Sequence, residues 1–151
     1  MTSDLNSARE PSGDENNLQT LRYNLFQSAS WLNSSIRNFL DPYSITPKQY
    51  NILLTLADRN PESLSVQEVR ESLADKMSDA SRLIDRLEKK SYLEKFPSDS
   101  DRRSNRARIT DAGMKVLEKI NSRRDVLDQI LLQRLKPEEI NQLNDLLSRL
   151  K

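Results

Sequence analysis

Two helix starts are written into the chain nineteen residues apart, at Thr46-Pro47-Lys48-Gln49 and at Ser65-Val66-Gln67-Glu68. In each, a hydroxyl can accept from the backbone N–H three residues on, while the Gln or Glu reaches back to the first N–H. Pro47 sits at the first helical position, where a missing N–H costs nothing. Ile45 with Tyr50, and Leu64 with Val69, fall where a hydrophobic staple pairs residues across a helix start. The first of these helices is predicted to run to about Asp58 and the second, a short one, to about Leu73. No glycine closes the short helix, so its turn must use Ala74-Asp75, and Asp75 is the expected cap of the helix that follows to about Lys90.

The flanking segments complete the order. Leu18, Leu21, Leu25, Leu32, Ile36 and Phe39 form one stripe of a helix ending near Leu40, before Asp41-Pro42. Tyr92 to Phe96 alternates like a strand, Pro97 to Asp101 is turn-rich, and Arg106 to Ile109 can return as a second strand. Thr110-Asp111 caps a long helix carrying Val116, Leu117, Ile120, Leu127, Ile130 and Leu131, and Pro137 opens a last one bearing Ile140, Leu143, Leu146, Leu147 and Leu150. Residues 1–16, polar and holding Pro11 and Gly13, read as a disordered arm. The fold class expected is mainly α: a winged helix-turn-helix in which a short helix, a second helix and a small β-hairpin wing follow one another.

Composition removes many functions. Without histidine or cysteine, the commonest general base, the thiol nucleophile and the main zinc ligands are missing. Gly13 and Gly113 are the only glycines, too few for a phosphate-cradling loop. No enzyme, metal or cofactor is expected. No apolar run reaches the ~20 residues of a membrane span, and a cytoplasmic location is the expectation. Hydrophobic residues make up 35% and charged ones 31%, which suits elongated helices or a core completed by a partner.

The formal net charge is only +1, yet residues 76–108 hold ten basic against six acidic side chains. Local excess is what phosphate binding needs. On a helix over 76–90, Ala80, Leu83, Ile84 and Leu87 share one face, and Ser78, Arg82, Asp85 and Lys89 the other, with Ser81 and Arg86 at its flanks. Short hydroxyls permit close approach to base edges, arginine can fork onto guanine, and lysine can meet a phosphate. A charged face is more often simply solvated. Asp85 faces the wrong way for DNA and is expected to orient Arg82 or Lys89, acceptance from a cytosine amine being the alternative. At the hairpin tip, Asp101, Arg102, Arg103 and Arg106 make a second basic element suited to the minor groove, with Asp101 able to pair with an arginine and hold it extended.

Residues 65–110 resemble the MarR (multiple antibiotic resistance regulator) family. The segment from Ser81 to Lys90 is similar to its recognition helix, and Asp101-Arg102-Arg103, six residues before Ile109-Thr110-Asp111-Ala112-Gly113, is similar to its D-x-R wing motif and following L-T-x-x-G. The chain departs from the family pattern at Ser91, where a glycine is usual, and at Lys136, where a small polar cap is usual. The resemblance implies a single MarR-like domain over 17–151, with DNA-binding part 46–110 and dimerisation helices at 17–45 and 111–151. It implies a homodimeric repressor or activator on a pseudo-palindromic operator of double-stranded DNA, with Arg103 in the minor groove. A small-molecule effector is left open; Trp31, Arg37, Tyr43 and Tyr50 lie on helices that would line its pocket, although such aromatics are more often core. The alternative function is a winged-helix scaffold for protein interaction without DNA binding.

Overall fold

The computed structural model describes residues 13–75, 79–101 and 103–150. The chain divides into two compact units, residues 1–34 and 35–151. The described part of the first is helical throughout and belongs to α1 (Gly13–Leu40), which begins before the first apolar position of its stripe. The part of the predicted arm before residue 13 lies outside the described residues.

The second unit takes in the end of α1 and a short 3-10 turn at Asp41–Tyr43, followed by α2 (Pro47–Arg59), β1 (Leu64–Ser65), α3 (Val66–Ser72), α4 (Ala80–Lys89), β2 (Leu93–Pro97), β3 (Asn105–Ile109), α5 (Asp111–Asn121), α6 (Arg124–Leu132) and α7 (Pro137–Ser148). Both capping boxes are closed. Thr46 Oγ1 accepts from the Gln49 N–H at 3.3 Å and Gln49 Oε1 from the Thr46 N–H at 3.0 Å. Ser65 Oγ accepts from the Glu68 N–H at 3.1 Å and Glu68 Oε2 from the Ser65 N–H at 2.7 Å. Glu68 is therefore held below the usual carboxylate range, chiefly by the bond from the Ser65 backbone.

One core serves this unit. Leu40, Ile52, Leu53, Leu56, Val69, Ala80, Ile84 and Leu87 are fully buried, and Leu93, Ala107, Ile109 and Ile120 join them from the wing and α5. The sheet has three antiparallel strands in the order β1-β3-β2. Lys95 lies opposite Ala107, Glu94 opposite Arg108, and Leu64 also opposite Ala107. Pro97 is tolerated because β2 is an edge strand. The short strand β1 was not expected from sequence: Leu64 and Ser65, read only as staple and cap, also pair with β3.

Two further expectations are corrected. Asp75 is not the cap of α4; its carboxylate accepts from Lys48 Nζ at 2.8 Å, and Asp79 takes the cap position, accepting from the Arg82 N–H at 3.1 Å. The long helix predicted after Thr110 is interrupted between α5 and α6. There the Ser122 hydroxyl turns back onto the Lys119 carbonyl at 2.7 Å and Arg123 leaves helical geometry, at φ −118° and ψ 25°. Thr110 caps α5 as expected, accepting from the Gly113 N–H at 3.1 Å. Gly113 is needed because a Cβ there would strike the Tyr92 carbonyl oxygen and lie 2.7 Å from Ile109 Cγ1.

Candidate nucleic-acid interface

The buried stripe of α4 decides what its other face can do. With Ala80, Ile84 and Leu87 inside, Ser81, Arg82, Asp85, Arg86 and Lys89 are exposed. Arg86 and Lys89 have no ion-pair partner among the described residues. Arg82 Nε comes only within 3.8 Å of Asp79 Oδ2, on two largely exposed side chains. This is a surface of guanidinium and ammonium groups on a helix seated firmly by its apolar side. Ser78 lies outside the described residues.

Asp85 does not orient Arg82 or Lys89. Its carboxylate accepts from Lys95 Nζ of β2 at 2.5 Å. Lys95 Nζ is also 3.8 Å from Glu88 Oε2, and the Lys95 backbone N–H donates to Glu88 Oε1 at 3.2 Å. The bond to Asp85 raises the affinity of the ammonium for its proton above the usual lysine range. Lys95 carried no sequence signal beyond its place in an alternating strand, and nothing local tells that it returns over a residue ten positions earlier.

At the wing tip the backbone is fastened by Asp101. Its carboxylate accepts from the Arg103 N–H at 2.9 Å, and its carbonyl from the Ser104 N–H at 2.9 Å. The Ser98 N–H closes the loop on the Ser104 carbonyl at 2.9 Å. Asp101 thus holds the main chain of Arg103 and not, as expected, a guanidinium, which leaves the Arg103 guanidinium exposed and without an ion pair among the described residues. Arg102 lies outside the described residues. Arg106, grouped with the tip by sequence, turns back: Nε donates to Ser63 Oγ at 2.7 Å, and one terminal nitrogen, Nη2, donates to the Ser63 carbonyl at 2.5 Å and lies 3.9 Å from Glu68 Oε2. It ties β3 to the start of α3. Arg108 pairs with Glu94 at 2.5 Å and lies 5.6 Å from the Phe96 ring.

A cleft of about 270 Å³ lies between α2, α5 and α6, lined by Tyr50, Leu54, Ile120, Asn121, Arg124, Leu127 and Asp128. Of the four residues suggested for a pocket, Tyr50 alone lines it. Burial pushes the Tyr50 hydroxyl up, against the opposing charge of Arg124. The Tyr43 hydroxyl instead donates to the Lys119 carbonyl at 3.4 Å, Arg37 is exposed, and Trp31 belongs to the other unit.

No helix among the described residues is long and apolar enough to cross a membrane. In comparison with known proteins, the chain is 28% identical to the transcriptional regulator PecS of Dickeya dadantii over 108 residues, 71% of this chain and 65% of PecS. It is 27% identical to the multiple antibiotic resistance protein MarR of Salmonella typhimurium over 116 residues, 76% of this chain and 79% of that one. It spans 54% of the length of the regulator PrsX of Escherichia coli. Among solved structures, a mutant MarR from E. coli complexed with operator DNA superposes with a TM-score of 0.80 at 22% identity, over 98% of this chain and 99% of that one. Sco3205 of Streptomyces coelicolor, in complex with DNA, gives 0.78 at 22% identity, over 94% and 88%. These structures share the fold. Residues 45–104 match the family model described as MarR family, and the relatives it resembles over most of its length include transcriptional regulators.

Proposed function

We propose that the protein is a sequence-specific DNA-binding regulator that acts in the cytoplasm as a homodimer on a pseudo-palindromic operator. In each half-site α4 enters the major groove and the wing tip the adjacent minor groove. The observation that carries this reading is a set of cations without an ion pair among the described residues: Arg86 and Lys89 on the outward face of α4, with Arg103 exposed at the tip of a wing packed beside it. The helix and the hairpin tip then read different grooves, Arg82 by a bidentate base contact and Arg103 by width and potential. Neighbours of the same fold solved in complex with DNA support DNA as the partner. The chemistry is recognition, and no residue is assigned a catalytic role.

A small effector fits the cleft beside Tyr50 and Arg124, where a hydroxyl donor and a cation meet Leu54, Ile120 and Leu127. An effector bound there would act by favouring a spacing of the two α4 helices that misses successive major grooves. The deciding experiment is selection of bound sequences from random duplex DNA by the full chain, followed by a gel shift. Recovery of a two-fold-related motif is the expected result. A blank gel shift on all duplexes would leave the winged fold as a protein-interaction scaffold.

A further inference from the structure

Asp85 is the misplaced charge of the reading face. It stands three residues after Arg82 and four before Lys89, the spacings at which a carboxylate and a cation meet on a helix surface. Left alone, it would draw either cation sideways, away from DNA, or present a bare negative charge to the phosphates. Neither pairing occurs: Lys95 Nζ holds the Asp85 carboxylate at 2.5 Å, and no ion pair joins Asp85 to Arg82 or Lys89.

The geometry separates two jobs of Lys95. Its backbone N–H, bonded to Glu88 Oε1 at 3.2 Å, fastens β2 to α4 with no help from its side chain. Its ammonium, with the side chain 27% exposed, points at Asp85 first and at Glu88 only at 3.8 Å. We propose that Lys95 is a positioning residue for DNA recognition that acts through Asp85: by occupying that carboxylate it frees Arg82 and Lys89 for DNA and removes a repulsive charge from the face of α4. This rests on α4 being the DNA-reading helix. Lys95 itself need not touch DNA, since its nitrogen is already spent on the helix carboxylates.

The test uses the full chain and the duplex recovered by selection with the native protein, at one fixed salt concentration. Lys95→Met strips Nζ and keeps the backbone bond to Glu88, so helicity and melting temperature should stay near native while affinity falls about tenfold through uncompensated like charge. Lys95→Arg should bind within about threefold of native, because a guanidinium can still pair with Asp85. Asp85→Asn combined with Lys95→Met should regain most of the loss, to within about threefold, since the charge needing a partner is gone. Native-like binding by Lys95→Met overturns the proposal. So does a double variant as weak as Lys95→Met, which would mean that Lys95 acts by its own contact, or a loss that merely follows unfolding in the melting curve. If the native chain itself binds no duplex, the reading of α4 as a DNA helix falls, and this proposal with it.

Discussion

At the scale of single residues, the backbone of Ser91 shows what a side chain costs where glycine is at home. Ser91 follows α4 with φ 61°, and the Tyr92 N–H returns to the Leu87 carbonyl at 3.1 Å, the closing bond of a left-handed helix end. An L-residue is strained there, so Ser91→Gly should stabilise the fold by about 0.5–1 kcal/mol, part of the relief being offset by the greater freedom of glycine when unfolded. Thermal melting checks this, and DNA affinity should not change. Arg82→Ala and Arg103→Ala should fail differently. If Arg82 reads the major groove as proposed, its loss should cost ~1–3 kcal/mol and relax the selected sequence. If Arg103 lies in the minor groove as proposed, its loss should weaken binding while largely keeping the preferred major-groove bases, because the minor groove is read by width. Sequence selection with each variant separates the two; unchanged affinity of Arg103→Ala would show the wing tip to be a solvated loop.

At the scale of elements, two caps make opposite demands. Gly113 brings the first turn of α5 against the Tyr92 carbonyl, a backbone atom that cannot swing aside. Gly113→Ala should therefore destabilise by about 1–3 kcal/mol through overpacking, read as a lowered melting temperature. Glu68 closes the box that starts α3, and its carboxyl is held low by the Ser65 N–H. A group with a depressed folded value contributes fully above its ordinary value, about 4.3, and loses that contribution as pH falls through the lower folded one. Glu68→Gln keeps a side-chain acceptor and should flatten this acid limb of the stability profile. These starts were legible in sequence because a cap is a conversation among four neighbouring residues. The exposed face of α4 was legible for a similar reason, a period of 3.6 being local. What escaped was long in sequence separation: β1 pairing with β3, Arg106 turned onto Ser63 forty-three residues away, and Lys95 lying over Asp85. The break at Ser122 escaped for another reason, since apolar spacing continues across it while the backbone leaves helical geometry at Arg123.

At the scale of the whole molecule, apolar surface is distributed unevenly. Among the described residues, eleven of the twelve large exposed hydrophobics fall within residues 18–26 or 126–150, among them Phe26 at 80% exposure and Leu146 at 56%. α6 and α7 contain no buried residue at all. Exposed apolar side chains gathered on α6 and α7 suit a site of association, and on the proposed reading a second copy is the occupant that a two-fold operator requires. Because α7 contributes nothing to the buried core, Leu146→Asp should leave the winged unit folded while dissociating the dimer. Sedimentation at micromolar concentration should give a dimer mass for the native chain and a monomer mass for the variant, with helicity nearly equal. DNA binding then carries an independent signature. Each neutralised phosphate contributes about −0.9 to the slope of log affinity against log salt, so a monomer holding one half-site should show about half the native slope as well as a weaker affinity. A native chain that sediments as a monomer would remove the operator geometry. A Leu146→Asp chain that stays dimeric would move the interface off α7.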